Sequence, residues 1–324
     1  NPFEKFGEYM ALALHSPAAY NLLLWLTGLP GTTVTRHREP PEGKWVLCGY
    51  GTFGRVMTEA LENAGLPVTI IDRAAPLAAT HSWIKGDGTG GEALRAAGIA
   101  DAVGIVAATA SDVNNLSTVV TAREINPKLF TVLRQNHVAN RALFDAFESD
   151  FAMVPAEIVA HECLAILTTP LLAPFLAFVR QADDAWAETL LGELTGRFGW
   201  DVPTVWSVTL NISQAPSVYR LLMRNEAELK LGELLRTPVT DLPPLSCTPL
   251  LLLREGDSPR LLPGLEEPIR LGDQLLLVGS ETARKDLGLT LFNGHTLKFV
   301  LTGQDLPSGL VWEWLAARRQ VRNA

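Results

Sequence analysis

Three glycines, Gly49, Gly51 and Gly54, stand in the spacing Gly-x-Gly-x-x-Gly, and an acid, Asp72, follows a short distance on. Each residue type has a job around a phosphorylated ligand. Gly49 permits a tight turn, Gly51 lacks the Cβ that would hold a pyrophosphate away from the backbone, and Gly54 allows close packing beneath. A helix opening there offers unpaired N–H groups and a partial positive charge to anions. Asp72 can accept hydrogen bonds from ribose hydroxyls. Such a pattern gains force from its surroundings.

The surroundings fit. Trp45 to Cys48 is a short apolar run, as a buried parallel strand requires. Arg55 to Asn63 has helical periodicity, with Val56, Met57, Ala60 and Leu61 on one face. Gly65 and Pro67 end it, and Val68 to Ile71 is a second strand that stops at Asp72. The tripeptide Gly49-Tyr50-Gly51 also occurs in potassium-selective filters, but no apolar helix of about 20 residues flanks it here. The rhythm continues. A strand at 81–85 meets the turn Gly86-Asp87-Gly88-Thr89, and a helix at 92–97 is closed by Gly98. Strands are expected at 103–108, 129–133 and 151–154, with helices at 112–125 (capped by Ser111) and 139–147. Strands alternating with helices give a doubly wound parallel sheet, α/β in class, whose ligands sit at the carboxyl ends of the strands. Gly49, Asp72, Asp87, Thr109 and Arg134 all fall at such ends.

The grammar then changes. Residues 156–179 form an apolar helical stretch interrupted near Pro170 and Pro174. Trp206, Val208 and Leu210 alternate with polar residues, as in a half-buried antiparallel strand. A short helix is expected at 229–236, two strands around Glu255-Gly256-Asp257, and a strand after the Gly272-Asp273 turn. The expected organisation is a helical or linker segment at 1–43, a nucleotide-binding lobe at 44–155 and crossover helices at 156–182. A small α+β lobe at 183–285 and an extension at 286–324 follow. The extension is expected to hold a strand at Leu297–Leu301 and a helix at Leu310–Arg319.

Composition narrows the function. The net charge of −8 argues against a nucleic-acid binder, whose affinity rests on basic surface. Cys48, Cys163 and Cys247 are widely spaced, without a disulfide framework or zinc pattern, and suit a reducing compartment. The chain opens at Asn1 and its first methionine is Met10, which reads as a piece of something longer. The stretch at 10–31 is the nearest approach to a membrane span, but His15, Ser16, Pro17 and Asn21 break it into two short amphipathic helices.

Both halves together resemble the regulator of K⁺ conductance family (RCK, KTN or TrkA type), cytoplasmic gating modules of potassium channels and transporters. The resemblance rests on the glycine turn, Asp72, "GDGT" at 86–89, "AATASDVNNL" at 107–116, "VLRQNHVANRALFDAF" at 132–147 and "DFAMVPAEIVAHECLAIL" at 150–167. More loosely it rests on "LKLGELLR" at 229–236 and "EPIRLGDQLLLVGS" at 267–280. It implies a Rossmann-like doubly wound parallel sheet followed by a smaller α+β domain of the TrkA C-terminal kind. It implies that Gly49, Tyr50, Gly51, Thr52, Phe53 and Gly54 hold phosphates and that Asp72 binds the adenosine ribose. Asp87 and Thr89 would lie by the adenine, and Ala108 and Thr109 would form the pocket floor. Thr52 stands where many ATP-discriminating members carry a basic residue, with Arg55 three positions later. Arg73 could stack on adenine or meet a 2′-phosphate. Asp72 would repel that phosphate, so NAD(H) or an adenine nucleotide (AMP, ADP or ATP) is expected, with a divalent cation left open. The resemblance also implies a pore or transporter subunit as partner, a dimer or larger ring through crossover helices, and a place at the cytoplasmic face of the membrane.

The rival is an NAD-dependent oxidoreductase, which needs an acid or base beside the nicotinamide. His137 and His161 are the candidates, and no Tyr-x-x-x-Lys occurs. A binding module that works by population shift is the expectation. Its self-association is expected through Leu167, Leu171, Leu172, Phe175, Leu176 and Phe178.

Overall fold

The computed structural model describes residues 1–34, 38–74, 81–147, 149–154, 168–224, 228–239 and 243–303. The chain divides into two compact units. The first holds residues 1–28, 33–164 and 178–200, and the second residues 29–32, 165–177 and 201–324.

In the first unit, six strands lie parallel in the order β3-β2-β1-β4-β5-β6. They are β1 (Trp45–Cys48), β2 (Val68–Asp72), β3 (Ser82–Lys85), β4 (Gly104–Ala107), β5 (Phe130–Arg134) and β6 (Phe151–Met153). Order reverses between β1 and β4, the place where a doubly wound sheet opens a crevice. The period of two sorts β1 cleanly. Trp45 and Leu47 enter one core with α3 (Thr52–Asn63), while Val46 and Cys48 enter the other. That second core is closed by α4 (Gly91–Ala96), α5 (Asp112–Ile125) and α6 (Arg141–Ala146). Beside α3, the first face is covered by two helices from the start of the chain, α1 (Pro2–His15) and α2 (Pro17–Thr27). Phe6, Met10, Ala13 and Tyr20 of these helices share a core with Phe130, Val132 and Phe151 of the sheet. The opening segment is thus part of the lobe's packing. Among the described residues no helix is long and apolar enough to cross a membrane.

Helices α7 (Leu172–Gln181) and α8 (Asp184–Phe198) follow. The second unit carries an antiparallel sheet in the order β7-β10-β8-β9. Its strands are Thr204–Thr209, Cys247–Leu253, Arg260–Leu261 and Gln274–Gly279 for β7 to β10. Among the described residues four helices accompany them: α9 (Pro216–Met223), α10 (Leu231–Leu234), α11 (Glu281–Phe292) and α12 (Gly294–Thr302). The architecture is therefore a parallel Rossmann-like sheet followed by a smaller α+β unit. The Gly272-Asp273 turn is pinned by an ion pair, Arg254 Nε to Asp273 Oδ1 at 2.8 Å, with Asp273 fully buried.

Several expectations are corrected. Leu297–Leu301 is helical, not a strand, because Asn293 caps α12 by accepting from the N–H groups of His295 and Thr296. Helix α11 runs through the expected boundary at residue 285, and Leu287, Leu291 and Leu297 enter the small unit's core. The expected self-association patch is not exposed either. Leu171, Leu172, Phe175 and Leu176 are buried within the chain and Phe178 is half-buried. Leu167, His161, the expected crossover segment as far as residue 167 and the expected helix at Leu310–Arg319 lie outside the described residues.

Candidate functional site

Gly49 follows the strand β1, and its φ of +99° lies in the region that favours glycine. A Cβ on Gly54 would stand 2.0 Å from the Gly49 carbonyl oxygen, so the helix α3 can sit this close only on a glycine. A Cβ on Gly51 would meet nothing within 4 Å, and the backbone there faces open space at the N-terminus of α3. No acidic residue occupies the first turn of that helix, so its exposed N–H groups are left to an anion.

Asp72 ends β2 and ties the turn to it. Its Oδ2 accepts from the Tyr50 N–H at 2.7 Å and its Oδ1 from the Ala74 N–H at 2.9 Å. Each oxygen retains acceptor capacity. Asp87, in the loop after β3, pairs with Arg73 and accepts from the N–H and hydroxyl of Thr89 at 3.0 and 2.9 Å. The hydrogen bond from Arg73, then those from Thr89, hold its carboxyl at about 2.

The ends of β4 and β5 are joined by one buried side chain. Asn115 Nδ2 donates to the carbonyls of Thr109 at 3.0 Å and Arg134 at 2.7 Å, and its Oδ1 accepts from the Thr109 N–H at 2.9 Å. Asp112 fixes the loop after β5 in the same way, accepting from Asn136, His137 and Asn140. Burial pushes the Asp112 carboxyl up, and those four hydrogen bonds outweigh it, so its pKa falls below the ordinary value. Arg134 emerges between these two supports. Its guanidinium lies 4.8 Å from the centre of the Phe3 ring, and its Nε is buried without a hydrogen-bond partner. Burial lowers its pKa, while Asp112 acts in the opposite sense.

These strand ends enclose a cavity of about 290 Å³. Gly49, Gly51, Asp72, Arg73 and Asp87 line one side, and Ala108, Thr109 and Arg134 the other. Tyr50, Thr52, Phe53, Gly54 and Thr89 do not line it. Phe53 is fully buried against Phe3 and Phe6, and Tyr50 packs edge-on against Trp83 at 4.8 Å. Gly54 acts through packing and Thr89 through Asp87. Arg55 lies over the Tyr50 ring rather than on the cavity. Arg73 pairs with Asp87 and remains largely exposed.

Sequence reasoning missed Cys48, Ile71, Gly86, Gly88, Ala110 and Asn114 on the wall, and missed Asn115 as organiser. The Cys48 thiol is pushed up to about 12 by burial and then by the charge of Asp87, which makes it a wall and not a nucleophile. Among the described residues no group of three or more His, Cys, Asp or Glu side chains is placed to hold a metal.

A parallel sheet with a glycine turn, an acid at the end of β2 and a cationic group at the end of β5 is a lobe of the Rossmann-like kind. Residues 45–155 match the TrkA-N domain. The chain is 25% identical over 139 residues to potassium channel protein 1 of Methanocaldococcus jannaschii, covering 41% of this chain and 42% of that protein. It is 29% identical over 136 residues to a Trk system potassium uptake protein TrkA homolog of Pyrococcus abyssi, covering 39% and 60%. The chain therefore spans less than two thirds of these relatives. Among solved structures it is similar to the GsuK channel, at 18% identity and a TM-score of 0.42, covering 88% of this chain and 57% of that one.

Proposed function

We propose that this chain is a regulatory module that senses an adenine nucleotide or NAD(H) and gates a potassium channel or transporter, at the cytoplasmic face of the membrane. The observation that carries the ligand class is the cavity at the strand ends. It places the open Gly51 backbone, the Asp72 carboxylate and the Arg134 guanidinium around one space. Phosphates fit the helix N-terminus and the cation, and a ribose diol fits Asp72. The potassium connection comes from the named relatives. Regulation would follow from differential affinity of the ligand for two arrangements of the module, with a pore subunit and further copies of the module as partners. An acid–base enzyme is the poorer reading, since the described residues on the cavity wall include no His, Lys or Tyr.

Calorimetric titration with AMP, ADP, ATP, NAD⁺ and NADH tests the ligand. Because Asp72 also holds the turn, its ribose role is isolated by comparing AMP with 2′,3′-dideoxy-AMP in wild type and in Asp72→Asn. Wild type should prefer AMP by about 1.5–3 kcal/mol, the range of a hydrogen bond to a charged group, and the variant should lose most of that preference. An equal preference in both proteins removes Asp72 from ribose recognition, and absence of binding by all five ligands removes the proposal.

A further inference from the structure

The charges on the cavity wall limit what can sit there. Among the described residues four charged side chains line it, Asp72, Arg73, Asp87 and Arg134, two of each sign. Arg73 and Asp87 pair with each other, so the Arg73 cation is offset where it stands. The Asp87 carboxyl, held at about 2, is ionised throughout the neutral range. Asp72 adds a second carboxylate at the end of β2, against the N–H groups of Tyr50 and Ala74.

Arg134 has no such offset. It makes no salt bridge with a described residue, and its Nε is buried without a hydrogen-bond partner. Buried donors are seldom left unpaired, and an anion is the partner a guanidinium lacks. The N-terminus of α3 adds roughly half a positive charge. The helix supplies nothing more to the cavity. Thr52, Phe53 and Gly54 carry no charge, and the Arg55 guanidinium lies over the Tyr50 ring, 5.8 Å from its centre.

The positive charge open to a phosphate is therefore one guanidinium and one helix end, roughly 1.5 charges. The rest of the wall is negative or balanced, on a chain of net charge −8. A single phosphomonoester, about −1.5 to −2 at neutral pH, already matches it. So does a pyrophosphate esterified at both ends. Every further phosphate adds charge that nothing on the described wall offsets.

We propose, resting on the nucleotide reading of this cavity, that the site selects its ligand by phosphate charge. It takes a nucleoside monophosphate, or a dinucleotide whose pyrophosphate is esterified at both ends, and disfavours the terminal polyphosphates of ADP and ATP. Asp87 is the specificity-determining residue, because it cancels the one further cation on the wall.

Calorimetric titration of the whole chain with AMP, ADP and ATP tests this, in EDTA so that magnesium does not mask the phosphates. Affinity should fall along the series, by about tenfold from AMP to ATP, the scale of uncompensated charge at partly screened distances. Asp87→Asn keeps an acceptor for Thr89 but releases Arg73, and should raise the affinity for ATP relative to AMP by about fivefold. A third arm needs no variant. Added KCl should narrow the gap between AMP and ATP in wild type, because salt screens repulsion. Selection by charge is overturned if ATP binds wild type as tightly as AMP, or if the gap widens with salt. It is equally overturned if folded Asp87→Asn leaves the ratio of the two affinities unmoved. Failure of all three nucleotides to bind removes the nucleotide reading itself, and the selection with it.

Discussion

At the residue scale, the site rests on a few polar side chains that each satisfy several backbone groups. Asp87 illustrates how such a group responds to pH. Its folded pKa of about 2 lies below the ordinary aspartate value of roughly 3.9. A depressed carboxyl contributes stability that is complete above about pH 4 and is lost as the pH falls through 2. The Asp87 carboxyl signal followed by NMR should therefore titrate near 2, and Arg73→Ala should move the midpoint up towards the ordinary value. A midpoint unmoved by that substitution would show that the ion pair does not form. The places of Gly49, Gly51 and Asp72 in the candidate site were legible because they follow from residue type and position, a glycine at a turn or an acid at the end of a strand. Asn115 and Asp112 were not. On a helix an asparagine or aspartate reads as solvated surface, and nothing in the letters says that it reaches back to pair the ends of two strands.

At the element scale, the strand–turn–helix unit is held by a backbone contact that permits no side chain. Gly54→Ala would force α3 away from Gly49, and overpacking of this kind costs about 1–3 kcal/mol. The variant should unfold at correspondingly lower denaturant with an unchanged slope, and should bind AMP more weakly because the turn has moved. Wild-type stability in Gly54→Ala would mean that the helix relaxes freely. Five of the six parallel strands were legible as apolar runs with turn residues between them, and β3 was legible from the Gly86-Asp87-Gly88-Thr89 turn that follows it. Leu297–Leu301 was misread because a short apolar run has no period that separates strand from helix. The deciding signal was Asn293, a capping residue placed just before the run. The apolar residues around Leu172 were misread as surface because composition reports hydrophobicity but not which neighbour covers it.

At the scale of the whole molecule, two units with separate cores divide the labour. The candidate cavity belongs entirely to the first. A ligand stabilises what it binds by mass action, about 2.7 kcal/mol at one hundred times its dissociation constant. Differential scanning calorimetry should resolve two transitions, of which AMP raises the one that reports the parallel sheet. A shift of the other transition alone would place the ligand in the small unit and refute the assignment of the cavity. The division into an α/β half and an antiparallel half was legible from the change in periodicity near residue 200. The place of residues 1–28 was not, since an amphipathic hairpin does not say which sheet it covers.

The ring of Phe3 under Arg134 has a consequence for how news could leave the lobe. Phe3 sits in the first turn of α1, and Arg134 stands at the cavity. An anion that engages the guanidinium and an event that steadies or frays that turn act on the same contact. Coupling free energies are reciprocal. Whatever the contact lends to the ligand, the ligand returns in equal measure to the beginning of the helix. A substitution that removes the Phe3 ring should then change the dissociation constant of the proposed nucleotide.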